Sequence, residues 1–194
     1  MEKRKVRYWT NGVFARRNFK FIQPEVRGSS NNPVLTGYAA VFNSLSEDLG
    51  GFREKLEPGC FADAIRKSDP RALLNHDSNI VLGRSSAGTL RLWEDTVGLG
   101  VEIHPPKTQT AKDLIELIRR GDISQMSFGF IVGLDRWERI DGENIRTILA
   151  TVELFDVSIV TYPAYPDTSV KVDSRAFDGR AALLRRRLQL ALAR

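Results

Sequence analysis

Apolar and small residues alternate with polar ones over VLTGYAAVFN, residues 34–43, which is the period of a half-buried strand. The stretch before it, RGSSNNP at 27–33, is a Ser/Asn/Pro-rich loop that sets off whatever precedes. A glycine-rich loop at 49–52 follows, and then PGCFADAIRKS changes the period. Phe61, Ala64, Ile65 and Ser68 fall at helical spacing, with Pro58 and Gly59 at the start of a short helix. Short apolar runs recur in RALLNH, TLRLW and VGLGVEI, separated by Asp, Ser, Gly or Asn, as successive strands of an antiparallel sheet would be. The clearest helix is TAKDLIELIRRG at 110–121, where Ala111, Leu114, Ile115 and Ile118 form one stripe. Thr110 and Asp113 have capping spacing there, and Gly121 can close the end. SQMSFGFIVGLDRW and ENIRTILATVELFDVSIVTY are long β-rich segments joined through Ile140, Asp141 and Gly142, and Asp-Gly is a strong two-residue hairpin signal. About six or seven strands with two helices predict an α+β fold, mainly antiparallel β: a small closed or strongly curved barrel with helices packed outside. From Ser174 the pattern changes to Ala, Leu and Arg, and AALLRRRLQLALA is a candidate amphipathic helix extending from the core. No internal repeat is evident.

The composition, 42% hydrophobic and 27% charged over 194 residues, fits one compact domain with short tails. No apolar run approaches the roughly 20 residues of a membrane-spanning helix. The single cysteine, Cys60, excludes an intramolecular disulfide and a thiolate zinc cluster, so the core must come from burial alone. The basic beginning, MEKRKVRYWTNGVFARRNFKF, lacks the apolar stretch of a secretory signal, and a reducing cytoplasmic compartment is the expectation. Net charge is +5, unevenly spread. Residues 1–27 hold eight Lys/Arg against two Glu, and residues 174–194 hold six Arg against one Asp, which leaves the middle at −6. The body is therefore no nucleic-acid binder by charge, and the tails serve either solubility or attraction to an acidic surface. Three regions follow: a basic arm and linker at 1–33, the folded unit at 34–173, and a basic, helix-prone tail at 174–194.

Any chemistry that needs an imidazole near neutral pH must use His76 or His104. His76 ends an apolar strand and begins a polar loop, where a rigid element presents a side chain to a cleft. His104 precedes two prolines, a context suited to anchoring a loop. In QMSFGF, Ser127 stands between apolar neighbours, and Gly129 allows close backbone approach. Alone, a serine in a strand is a tolerated small polar group, since the Gly-x-Ser-x-Gly elbow is missing. In VELFDVSIV, Glu153 and Asp156 interrupt an apolar strand, and a carboxylate facing a core must be paired to stay charged. Counting residues puts the two on opposite faces, so that only one can join His76 and Ser127. A serine hydroxyl becomes a nucleophile when an imidazole takes its proton and a third group steadies that imidazole, and such triads occur in several chain orders.

GYAAVFN, LEPGCFADAI, LLNHD followed by LGRSSAGTL, a GL turn before VEI, RRGDISQMSFGF and LFDVSIVTYPAYPDTSV together resemble, in order and spacing, the prohead or capsid-maturation proteases of tailed bacteriophages. Those enzymes are similar in fold and chemistry to the herpesvirus capsid protease, assemblin, and the resemblance covers roughly residues 35–172. It implies an assemblin-like barrel, His76 as the catalytic histidine, Ser127 as the nucleophile, and an acid in the strand before the Pro-Ala turn. Asp156 is the first choice for that acid, in a position where the family commonly has Glu, and Glu153 is the alternative. The amide of Ala164, after Pro163, is the implied oxyanion donor. The implied substrate is the scaffolding segment of the major capsid protein, cut inside the assembling shell in the bacterial host cytoplasm, with self-cleavage at the tails. A homodimer follows by analogy with the herpesvirus enzymes, and no cofactor is implied. Two competing readings are a noncatalytic capsid-assembly scaffold of the same fold, and a metal hydrolase using His76, Asp77 and His104. The second lacks any HExxH or Cys/His ligand spacing.

Overall fold

A computed structural model describes residues 33–165 and 167–173. The expected arm, Pro33 excepted, and the expected C-terminal helix lie outside these residues. Eleven elements follow in chain order: β1 (Val34–Val41), β2 (Arg53–Leu56), α1 (Ala62–Lys67), β3 (Arg71–Leu74), β4 (Asp77–Arg84), β5 (Leu90–Glu94), β6 (Gly98–Ile103), α2 (Gln109–Arg120), β7 (Gln125–Ile140), β8 (Glu143–Val160) and β9 (Ser169–Asp173). The chain is mostly β with few helices.

The strands divide between two sheets. One has the order β5-β6-β1-β9, with every pairing antiparallel. The other is built on β8. β7 runs antiparallel along one edge of β8, while β2 and β3 lie end to end on the other edge, both parallel to it, and β4 pairs outside β3. No closed barrel is found among the described residues, whose strands form these two sheets. The expected mainly antiparallel pairing is present, with β2 and β3, both parallel to β8, as the exceptions. Each reaches β8 from a separate crossing of the chain, not through a hairpin, and a crossing allows the parallel sense.

The predicted hairpin is present: Asp141 and Gly142 both have positive φ, +50° and +85°, as a two-residue I′ turn requires. The long β7–β8 ladder is uneven, slipping register between Gly129 and Phe130 and three more times before Asp135. Such slips bend and twist a ribbon that would otherwise be flat. The alternate residues Met126 and Phe128 of β7, and Val157 and Ile159 of β8, are buried in the main core with Leu35, Phe61, Leu99, Ile103 and Leu114. Phe128 sits at the centre of an aromatic group, its ring 5.4 Å from those of Phe61 and Tyr165 and 5.0 Å from Phe130.

The predicted stripe of α2, Ala111, Leu114, Ile115 and Ile118, is the buried one, and full burial of each large aliphatic side chain contributes about 1.5–3 kcal/mol. Gly121 ends the helix at φ +83° with its N–H donated to Ile118 and Leu117 carbonyls. Its beginning differs from expectation. Thr108, not Thr110, is the cap, with its side chain accepting from the Ala111 N–H at 3.3 Å.

Candidate active site

β3 and β4 meet in a two-residue turn, Leu74 pairing with Asp77 around Asn75 and His76. Both turn residues have positive φ, +50° and +59°. Asn is at home in this left-handed region, and Gly would be the usual second residue. A histidine there costs about 1 kcal/mol of backbone strain, and such strain persists where neighbouring structure holds it. The holding is visible: the Asn75 N–H donates to the Ile159 carbonyl at 2.9 Å, and Asn75 Oδ1 accepts from the Thr161 N–H at 3.0 Å. The turn is thus tied to the end of β8.

From that turn His76 Nδ1 lies 2.7 Å from Asp156 Oδ2, with the Asp156 residue 4% exposed. Ser158 donates its hydroxyl hydrogen to the same oxygen at 2.5 Å. Ser127 pairs with Ser158 across the β7–β8 ladder, and Gly129 pairs with Asp156. Residues directly opposite in a ladder point to the same side of the sheet, and residues two apart along one strand do so as well. Ser127, Asp156 and Ser158 therefore share the face on which the His76 ring sits, opposite the face where Met126 and Phe128 enter the core. Gly129 has a distinct part: a Cβ built there would press on Asp156 Oδ1, so only glycine leaves the carboxylate its place over β7.

The structure thus brings His76 and Asp156 into contact and sets Ser127 on their face of the sheet. Glu153 is exposed and pairs opposite Ile131. The expectation that Glu153 and Asp156 occupy opposite faces is wrong. Gly129 pairs with Asp156 and Phe130 with Leu154, so Phe155 is an extra, bulged residue, and the ladder brings both carboxylates to one side. Distance along β8 separates them, and Asp156 is the one against His76. Ser158 was not anticipated, although its place two residues after Asp156 in DVS was a usable signal.

Ala164 is half-buried against the core in the segment after β8, where its carbonyl accepts from the Glu47 N–H at 3.0 Å. Thr168 ties the far end of that segment to the strand bearing Ser127. Its Oγ1 accepts from the Met126 N–H at 3.0 Å and donates to carbonyl oxygens of Met126 at 2.6 Å or Tyr165 at 3.0 Å.

His104 follows β6 in the other sheet, its Nε2 3.1 Å from Glu102 Oε1 and its N–H donated to the Thr89 carbonyl, in keeping with an anchoring role. Asp77 accepts from the Asn79 N–H and side-chain amide, both at 2.8 Å. Among the described residues no group of three or more His, Cys, Asp or Glu is arranged to hold a metal ion. Cys60 is buried, and that burial, with the Glu94 charge nearby, pushes its thiol far up. A thiol held neutral in this way is no nucleophile.

A family model described as caudovirus prohead serine protease matches residues 19–181 of the chain. No curated protein matches it. No helix among the described residues is long and apolar enough to cross a membrane.

Proposed function

The chain belongs to the caudovirus prohead serine proteases, serine peptidases of capsid maturation, and from that premise we propose that Ser127, His76 and Asp156 are its catalytic triad. The observation that carries this reading is the contact of His76 Nδ1 with the buried Asp156 carboxylate, 2.7 Å, on the face of the sheet to which Ser127 belongs. With Nδ1 engaged in this way, Nε2 is the nitrogen that takes a proton.

In the proposed reaction Ser127 Oγ adds to the peptide carbonyl carbon as its proton passes to His76 Nε2, and Asp156 steadies the imidazolium. The carbon–nitrogen bond then breaks as the imidazolium returns its proton to the leaving amine, leaving an acyl-enzyme. Water, deprotonated by the same imidazole, adds to the ester, and the serine leaves with its proton restored. The Ala164 amide is the proposed donor to the oxyanion, an interaction worth about 3–4 kcal/mol in the transition state of other acyl-transfer enzymes. Its segment is tethered at both ends, by Asn75 at Thr161 and by Thr168 at Met126, which favours a donor fixed before substrate arrives.

The proposed substrate is the scaffolding segment of the major capsid protein, cut within the assembling prohead in the host cytoplasm, together with sites in the chain's own basic ends. The proteolytic unit in this reading is residues 34–173, in an assemblin-like arrangement that forms a homodimer. The test is intact mass over time for wild type and Ser127→Ala, each expressed alone and with the capsid protein. Discrete fragments that vanish only in the variant support the reading. Identical masses in both, with the capsid protein assembled but uncut, would favour a noncatalytic scaffold.

A further inference from the structure

Both side-chain hydrogen bonds to Asp156 among the described residues converge on one oxygen. His76 Nδ1 approaches Oδ2 at 2.7 Å, and Ser158 Oγ donates to it at 2.5 Å, while Oδ1 is turned toward Gly129. Ser158 is 0% exposed and stands directly across the ladder from Ser127. A hydroxyl withdrawn from water in this way needs an acceptor, and a charged one gives a stronger bond than a neutral one.

We propose that Ser158 is a positioning residue for the reaction, fixing the rotation of the Asp156 carboxylate so that Oδ2 meets His76. The inference rests on the triad assigned above and adds a fourth side chain to it. Two effects follow from the shared oxygen. Donation from Ser158 favours the charged carboxylate. It also takes up part of the negative charge that would otherwise stabilise the imidazolium. Loss of the hydroxyl therefore raises the proton affinity of both partners, and each change moves the acid limb of the reaction toward higher pH.

Other charged groups near the pair are few and engaged. β7 carries none between Gln125 and Ile131. On β3, Arg71 pairs in register with Asp156, but its guanidinium donates to the Asp69 carbonyl at 2.6 Å. In the turn, Asp77 is occupied by Asn79. On α1, Asp63 pairs with Arg66 and Lys67, and on β8 Glu153 is exposed. After β8, Tyr162 is 73% exposed.

The test needs no knowledge of the cleavage site. Diisopropyl fluorophosphate reacts with an activated serine whose oxygen displaces fluoride from phosphorus while the base takes the hydroxyl proton. Its rate of addition to the full chain is followed by intact mass from pH 5 to 9, and peptide mapping locates the adduct. For Ser158→Ala we expect the acid limb to move up by about half a unit to one unit and the plateau rate to fall about 3- to 30-fold. Ser158→Thr, which keeps the hydroxyl, should return the limb to its wild-type place. Thermal melts check that each variant folds, and if Ser158→Ala does not, Ser158→Cys, with its weak donor, should shift the limb in the same direction. An unshifted limb in the folded variant, beside an unreactive Asp156→Asn, overturns this inference alone. Wild type unlabelled at Ser127, or Asp156→Asn labelled as fast as wild type, overturns the triad and the inference with it.

Discussion

His76 holds a backbone conformation that glycine adopts without steric cost, at φ +59° in a two-residue turn. The usual ranking of alanine over glycine should therefore be inverted here. Both His76→Ala and His76→Gly lose the Asp156 contact, so their difference isolates the backbone. We expect His76→Gly to be the more stable by about 1 kcal/mol in urea denaturation, and neither variant to cut protein. An Ala variant as stable as the Gly variant would mean that the turn relaxes and carries no strain. At this scale the sequence was readable where a residue type is scarce. Only two histidines were available, and His76, the one in the polar context, is the one that meets the buried Asp156, while His104 lies beside Glu102. The placing of the two carboxylates was harder to read, because counting along VELFDVS assumes a regular strand and Phe155 is bulged. A bulge leaves no clear mark in residue types, so the relation of Glu153 to Asp156 had to come from the register.

α2 and the β7–β8 hairpin are the elements whose signals were strongest, a four-residue stripe at helical spacing and an Asp-Gly turn, and both formed where expected. The helix cap was displaced by two residues because Thr108 and Thr110 are both plausible caps in sequence, and the choice is made by which one has extended backbone. Thr108 does, at φ −74° and ψ 160°. Thr108→Ala should accordingly lower stability by about 1 kcal/mol, and Thr110→Ala by a few tenths at most, measured as paired urea midpoints. Equal losses would contradict the assigned cap. β2 and β4 were missed for a physical reason: REKL has one aliphatic end, and DSNIVLGR exposes polar side chains, so neither shows the apolar alternation that marks a strand. Their place comes from pairing with neighbours, which is information that lies elsewhere in the chain.

Across the molecule, the division into two sheets follows from long-range pairings that no local pattern encodes, which is why a mainly β chain was legible and the order of its strands was not. An ion pair between the α1–β3 connection and the end of β4 bears on the pH range over which this arrangement should hold. Asp69, in the segment between α1 and β3, accepts from Arg84 Nε at 2.7 Å and from the Ser86 N–H at 2.8 Å. The Arg84 hydrogen bond foremost, then the Ser86 amide, hold its carboxyl at about 2, below the usual value of 3.8. A depressed carboxylate contributes stability that is whole above its unfolded value and is lost as pH falls through its folded one. Wild type should thus resist urea better than Asp69→Asn at pH 6, and the two midpoints should converge between about pH 4 and 2. Midpoints that keep their separation at pH 2 would show that the carboxylate charge is not the source.

The contact between His76 and Asp156 spans 80 positions of chain, whereas Ser127 and Asp156 belong to a single hairpin. The hairpin closes through one short turn, but the histidine arrives only when β3 has docked on β8, a pairing that must close a long loop first. In the proposed reading activity is therefore tied to the docking of β3: a chain in which that pairing has not formed would lack the His76–Asp156 contact even if its β7–β8 hairpin were complete.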